Sequence, residues 1–164
     1  MRIILVHNYH REWGGSDAAA RQDALLLKNY GHTVIEFSKN NREADSYNFL
    51  QKISLPINII WSYPGYAQIK QLILDHRPDI VHVHDSFPLI SPSIYDACAQ
   101  LGVPTILTLH DYRLLCPRST FYRDGAPCEK CRESVFQSVR FRCNYGYSPV
   151  TQLLPSPRRR RAGF

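Results

Sequence analysis

Twice in the first 110 residues a helical pattern ends in glycine and an apolar strand pattern begins within a few residues. Gly31 precedes Thr33 to Phe37, and Gly102, followed by Pro104, precedes Thr105 to Leu109. Glycine just past a helix supplies the left-handed residue that ends it. The β-branched and apolar runs behind it have strand composition. Two further runs, Ile3 to Val6 and Ile80 to Val83, have the short unbroken form of strands buried on both faces. Helices and strands alternating through short connections build a parallel sheet with helices on both faces and right-handed crossovers. The expected fold class is therefore α/β, a Rossmann-like open parallel sheet.

The helices can be placed in outline. Ser16 is positioned to cap the first, with Asp17 in its first turn, and the helix runs through Ala18, Ala19, Leu25 and Leu26. Tyr66, Ile69 and Ile73 share one helical face, with Leu72 beside them. Ser91-Pro92 reads as a cap followed by proline at the first helical position, and Ile94, Cys98 and Leu101 form that helix's inner face. Residues 39–63 read as loop around Asn40, Asn41, Asp45, Ser46 and Asn48, then at most a short helix interrupted by Pro56. From Asp111 onward the alternation stops and no further strand is expected.

Composition narrows the classes. With 164 residues, 44% of them hydrophobic, the chain can bury one sizeable core, and wholesale disorder is excluded. No apolar run approaches the roughly 20 residues needed to span a bilayer. The opening Met1 to Val6 is too short for a signal peptide, so a cytoplasmic location is expected. The net charge is +6, but removing Arg158 to Arg161 alone leaves +2. A basic tail attracts nucleic acid or anionic lipid. The body has no matching basic stripe, which argues against a nucleic-acid partner.

Three motifs fall just past the carboxyl ends of expected strands, where open α/β sheets bind ligands. His7 to Asp17, HNYHREWGGSD, joins the first strand to the first helix. Gly14 and Gly15 lack Cβ, so a phosphate or sugar can approach their N–H groups closely at a helix N-terminus. The dinucleotide fingerprint and the P-loop are both absent. Asp79 to Asp85, DIVHVHD, puts His82 and His84 on one strand face by alternation. They read as buried hydrogen-bonded histidines, as ligand contacts at His84, or as a zinc pair with no third ligand evident. Thr108 to Pro117, TLHDYRLLCP, sets His110 and Asp111 past the fourth strand. An imidazole there can hydrogen-bond a sugar hydroxyl, and the carboxylate can orient it or bind a hydroxyl itself.

Cys116, Cys128, Cys131 and Cys143 are separated by 11, 2 and 11 residues. The central Cys-x-x-Cys fits half of a four-thiolate structural zinc site. Free or redox-active thiols, an iron–sulfur cluster or disulfides are the other readings, disulfides being disfavoured in a reducing compartment. Cys98 lies on a helix's inner face and reads as core.

Together RIILVHNY, GGSD, PDIVHVHD and TILTLHDYRLLCP resemble the N-terminal domain of family-4 glycosyltransferases, the retaining, nucleotide-sugar-dependent group with the GT-B fold. The resemblance runs from Met1 to about Cys143, and departs at Asp17, where many relatives carry glutamate. It implies one half of a GT-B fold with a Cys-rich insert at residues 116–143. Residues 1–147 would form the acceptor-side domain, incomplete, and 148–164 a disordered basic Pro/Arg tail. The implied reaction is hexosyl transfer from a nucleotide sugar to a glycan, lipid or other acceptor. His110 would stand beside the transferred sugar as the catalytic position. Gly14 and Gly15 would lie against donor diphosphate or acceptor, with His84 and Tyr112 on the acceptor side. No catalytic metal is implied, so Asp85 and Asp111 are not read as ligands.

The family's donor-binding C-terminal domain, with its Arg/Lys and paired glutamates, has no counterpart after Cys143. The expectation is a fragment, or a frameshifted product, inactive without that domain or a separate chain supplying it. A sheet cut short after Thr105 to Leu109 would leave an unpaired edge prone to association. Family members commonly sit at the membrane's cytoplasmic face. The competing expectation is a non-catalytic α/β binding module with a structural zinc and a basic tail for anionic partners.

Overall fold

A computed structural model describes residues 1–134, 136–141 and 143. The basic tail expected at 148–164 lies outside the described residues. The chain divides into two compact units, Met1–His110 and Asp111–Phe164.

The first unit alternates as the glycine-terminated helices require: β1 (Arg2–Tyr9), α1 (Gly15–Asn29), β2 (Thr33–Asn40), α2 (Phe49–Ile60), α3 (Tyr63–His76), β3 (Ile80–Asp85), α4 (Ser93–Gln100) and β4 (Thr105–Leu107). The strands form one parallel sheet in the order β2-β1-β3-β4. Ile4, Val6, Val81 and Val83 point to one face and bury against Ile69 and Ile73 of α3 and Ile94, Ala97 and Cys98 of α4. Each such Ile or Val is worth about 1.5–3 kcal/mol of removed apolar surface. Leu5 points to the other face, against Ala20 and Ala24 of α1. The architecture is thus Rossmann-like, with helices on both sides. Cys98 is core, as its helical position predicts.

Three serines and a glycine fix the helices under the sheet. Ser62 caps α3 through its Oγ, which accepts from the Gly65 N–H at 3.1 Å. The Ser62 N–H donates to Ser91 Oγ at 2.9 Å, and Ser93 Oγ donates to the Ser62 carbonyl at 2.8 Å. At Gly65 an added Cβ would lie 2.5 Å from the Ile90 carbonyl oxygen, so the backbones approach as only glycine permits.

Several boundaries differ from the sequence expectation. Helix α1 starts at Gly15 with Gly14 as its cap, because the Asp17 carboxylate reaches back to the Gly14 N–H at 2.8 Å. Its buried stripe is Asp17, Ala20 and Ala24, while Leu25 and Leu26 are exposed. Helix α4 starts at Ser93, with Ser91 in a left-handed conformation. The unassigned stretch 39–63 holds a 3-10 turn, Asn41–Ser46, and then α2. Asn40 and Asn48 cap them, and α2 carries Pro56 inside. Its residues Phe49, Leu50, Ile53, Ile57 and Ile60 are all exposed. Strand β4 is three residues rather than five, and among the described residues it pairs with β3 alone.

The second unit is not strandless. It contains a hairpin of β5 (Tyr122–Arg123) and β6 (Ala126–Pro127), followed by a 3-10 turn, Lys130–Arg132, and α5 (Gln137–Arg140). Asp124 and Gly125 both take positive φ at the turn. An Asp-Gly pair is the residue signature of such a two-residue hairpin. No helix among the described residues is long and apolar enough to cross a membrane.

Candidate functional site

The site gathers where β1, β3 and β4 end. His7 and Asn8, in the last residues of β1, are buried. Between Val6 and His7 the register of β1 on β3 slips, which sets His7 opposite Asp85. His7 Nε2 lies 2.7 Å from Asp17 Oδ1 on α1. The same carboxylate accepts from the His10 N–H at 3.2 Å and the Gly14 N–H at 2.8 Å. Burial pushes the Asp17 carboxyl upward, but these bonds outweigh it and its pKa falls below the ordinary 3.8. Asp17 therefore ties the whole His7–Gly14 loop to the helix N-terminus. Asn8 donates to Asn41 Oδ1 at 2.7 Å and accepts from the Leu89 N–H at 3.3 Å.

His82 and His84 share the α1 side of β3, as the alternation predicts. His82 Nε2 meets Thr108 Oγ1 at 2.8 Å. His84 Nδ1 meets His110 Nε2 at 3.0 Å, and the two rings stack with centroids 5.2 Å apart. Burial lowers the pKa of both His82 and His84. For His84 it falls to about 4, with His82, His110 and His7 adding to the effect and Asp23 opposing it. His84 is therefore neutral at pH 7. Its Nε2 is buried without a hydrogen-bond partner, 3.4 Å from Asp23 Oδ2 on α1.

Of the residues singled out in sequence, His84 and His110 are in contact, and Gly14 and Gly15 stand at the start of α1. His110 is exposed, whereas His84 is buried rather than presented at the strand end. Gly14 has its N–H engaged by Asp17, and neither glycine has the positive φ or the crowding that would demand glycine. Asp111 and Tyr112 open the second unit. Asp111 is held by Arg113, which donates from its backbone N–H at 2.8 Å and from its guanidinium at 3.0 Å. The partner that orients His110 is thus His84. Tyr112 is exposed, with its ring 4.9 Å from Phe121.

Cys116, Cys128, Cys131 and Cys143 come close enough in the second unit to act on one another electrostatically. Burial raises the thiol pKa of Cys131, and the other three thiols raise it further. Cys143 is raised by burial as well, partly offset by Arg123. Raised thiols are poor nucleophiles near neutral pH.

His7, Asn8, Asp17 as an anchor, and Asp23 are the site members that sequence reasoning missed. Alternation from Leu5 puts His7 on the face that carries His82 and His84. Without the strand order, nothing in the sequence makes them neighbours.

Residues 13–127 match the family described as Glycosyltransferase Family 4. That is more than half of the chain, and the chain belongs to this family. A protein of Klebsiella pneumoniae described as an uncharacterized 42.6 kDa protein in cps region is 25% identical over 153 residues. The match covers 77% of this chain and 41% of that relative, so the chain spans about two fifths of the relative's length.

Proposed function

We propose that this chain is the acceptor-side half of a retaining, nucleotide-sugar-dependent hexosyltransferase that builds a glycan. The observation that carries the reading is the His84–His110 pair at the carboxyl rim of the sheet. His84 Nδ1 engages His110 Nε2, which leaves Nδ1 of the exposed His110 for a hydroxyl of the transferred sugar. In the reaction the bond from the sugar to the diphosphate breaks, and the acceptor oxygen takes its place with the same anomeric configuration. The nucleoside diphosphate departs, and its leaving phosphate oxygen takes the proton of the acceptor hydroxyl. Positioning and electrostatic stabilisation of the leaving group supply most of the rate.

Gly15, with open space where a Cβ would stand, and the positive end of α1 support close approach of the diphosphate or acceptor. Asp111 and Tyr112 are proposed as further substrate-side residues, His84, first read as an acceptor-side contact, as the residue that positions His110, and Cys116, Cys128, Cys131 and Cys143 as a structural zinc site. The exposed apolar residues of α2 support peripheral contact with the cytoplasmic face of a membrane. The relative in a cps region supports a glycan acceptor.

The test is sugar transfer by the purified chain, alone and mixed with a separately expressed C-terminal half from the Klebsiella relative. No turnover alone and turnover in the mixture are expected, with His110→Ala lowering the latter by about 100–1,000-fold. Turnover by the chain alone overturns the need for a second half. An inert mixture in which the two halves bind each other overturns the glycosyltransferase reading.

A further inference from the structure

The α1 side of β3 holds a cluster in which Asp23 and His82 have no part in the proposed glycosyl transfer, and His84 joins it to the His84–His110 pair. One ligand atom each from Asp23, His82 and His84 lies within 4.8 Å of the others. Asp23 Oδ2 and His84 Nε2 are 3.4 Å apart. Metal–ligand bonds of 2.0–2.2 Å at tetrahedral angles separate neighbouring ligand atoms by about 3.3–3.6 Å. That edge is therefore already set for zinc, and a modest contraction of the third ligand completes a face of the tetrahedron.

The protonation states leave the contact unresolved without an ion. A neutral imidazole carries one N–H. With the proton on Nδ1, His84 donates to His110, and its Nε2 lone pair confronts the Asp23 oxygen, acceptor against acceptor. With the proton on Nε2, the N–H is misaligned with the carboxylate and makes no hydrogen bond. The His84 side chain has no exposure to water that could fill the gap. A buried imidazole nitrogen without a partner is costly.

We infer that Asp23, His82 and His84 form a binding site for a divalent transition-metal ion, zinc by its two-imidazole, one-carboxylate donor set. Asp23, whose side chain is 42% exposed, is the ligand free to adjust. Thr108 meets His82 Nε2 and His110 meets His84 Nδ1, so with His82 binding through Nδ1 and His84 through Nε2 these are outer-shell partners that orient the ligating imidazoles. Metal on His84 Nε2 keeps the proton on Nδ1. His84 then donates to His110 Nε2, and His110 must carry its own proton on Nδ1. The ion thereby fixes His110 as a donor at its outward nitrogen. The site stands whether or not the family reaction is the one proposed above.

The test uses the full 164-residue chain with Cys116, Cys128, Cys131 and Cys143 replaced by serine, titrated with Zn²⁺ against a chromophoric chelator. One equivalent of Zn²⁺ is expected, with affinity falling at least roughly 10–100-fold in the added Asp23→Asn variant. Asp23 is half-exposed, so that change leaves the fold intact. Co²⁺ added to the unsubstituted chain is the second measurement, independent of the serine variant. Visible tetrahedral bands that Asp23→Asn removes, while any thiolate charge-transfer band persists, support the site. Titrated His84 and His110 resonances should report Nδ1 protonation on both rings. Less than about 0.2 equivalents bound, or binding unchanged by Asp23→Asn, overturns the inference.

Discussion

The two faces of β3 are built from opposite materials. Val81 and Val83 point into hydrocarbon, packed against Ile69 and Ile73 of α3 and Ile94 and Ala97 of α4. His82 and His84, the residues between and beyond them, point toward α1, where His82 bonds Thr108 and His84 bonds His110. One strand thus carries the apolar core on one side and the candidate site on the other. Substitutions on the first side should change stability equally at all pH values, and those on the second should change how stability varies with pH.

The largest effect belongs to the apolar face. Ile94→Ala should lower unfolding free energy by about 2–5 kcal/mol in urea denaturation, through lost transfer energy and the cavity left behind. The loss should be the same at pH 5 and pH 8. A loss that varied with pH would mean the two faces are coupled.

Next comes Asp17→Ala, which strands the buried His7 imidazole and releases two backbone N–H groups. We expect a cost of roughly 1–3 kcal/mol. Native-state hydrogen exchange should show it concentrated in residues 7–14.

The pH profile tests the polar face directly. The unfolded chain protonates His84 near 6.5, whereas the folded chain resists until about 4. The unfolded state binds more protons in that interval, so stability should fall as pH drops from 6.5 to about 4, with no further loss from this group below it. Asp17, held below 3.8, adds its own loss as pH falls through its folded pKa. A His84→Gln variant should flatten the profile between pH 6.5 and 4 and leave the more acidic limb in place. An unchanged profile would reassign the effect to another histidine.

The smallest expected change in stability is that of Gly15→Ala, within about 0.5 kcal/mol, because an added methyl meets open space. Any loss of nucleotide-sugar turnover in the reconstituted enzyme would then report ligand approach alone. Full activity would remove Gly15 from the site.

The apolar face was legible in sequence because it is local. Ile69 and Ile73, or Ile94 and Cys98, announce a buried stripe by spacing alone. The polar face was legible only in part. His82 and His84 share a side by alternation, but Asp23 is one residue off a stripe of alanines and looks like any solvated acid. Its role depends on which strand α1 crosses, and that depends on strand order. The Cys-rich unit was misread for a different reason. Its hairpin strands are two residues long, too short for any periodicity, and the one local signal was Asp124-Gly125. In α2 the presence of Pro56 and the absence of a buried stripe hid a helix that Asn48 nevertheless caps.

Asn8 has a consequence for how a ligand would be received. Its amide joins Asn41, in the turn after β2, to the Leu89 N–H, in the segment between β3 and α4. Two connections far apart in sequence are thus pinned to the end of β1. A substrate entering that rim finds its walls already ordered, so little of its binding energy goes into immobilising them. Under the proposed function, acceptor selectivity would then rest on fit to this held outline, and a bulkier acceptor should be rejected by shape.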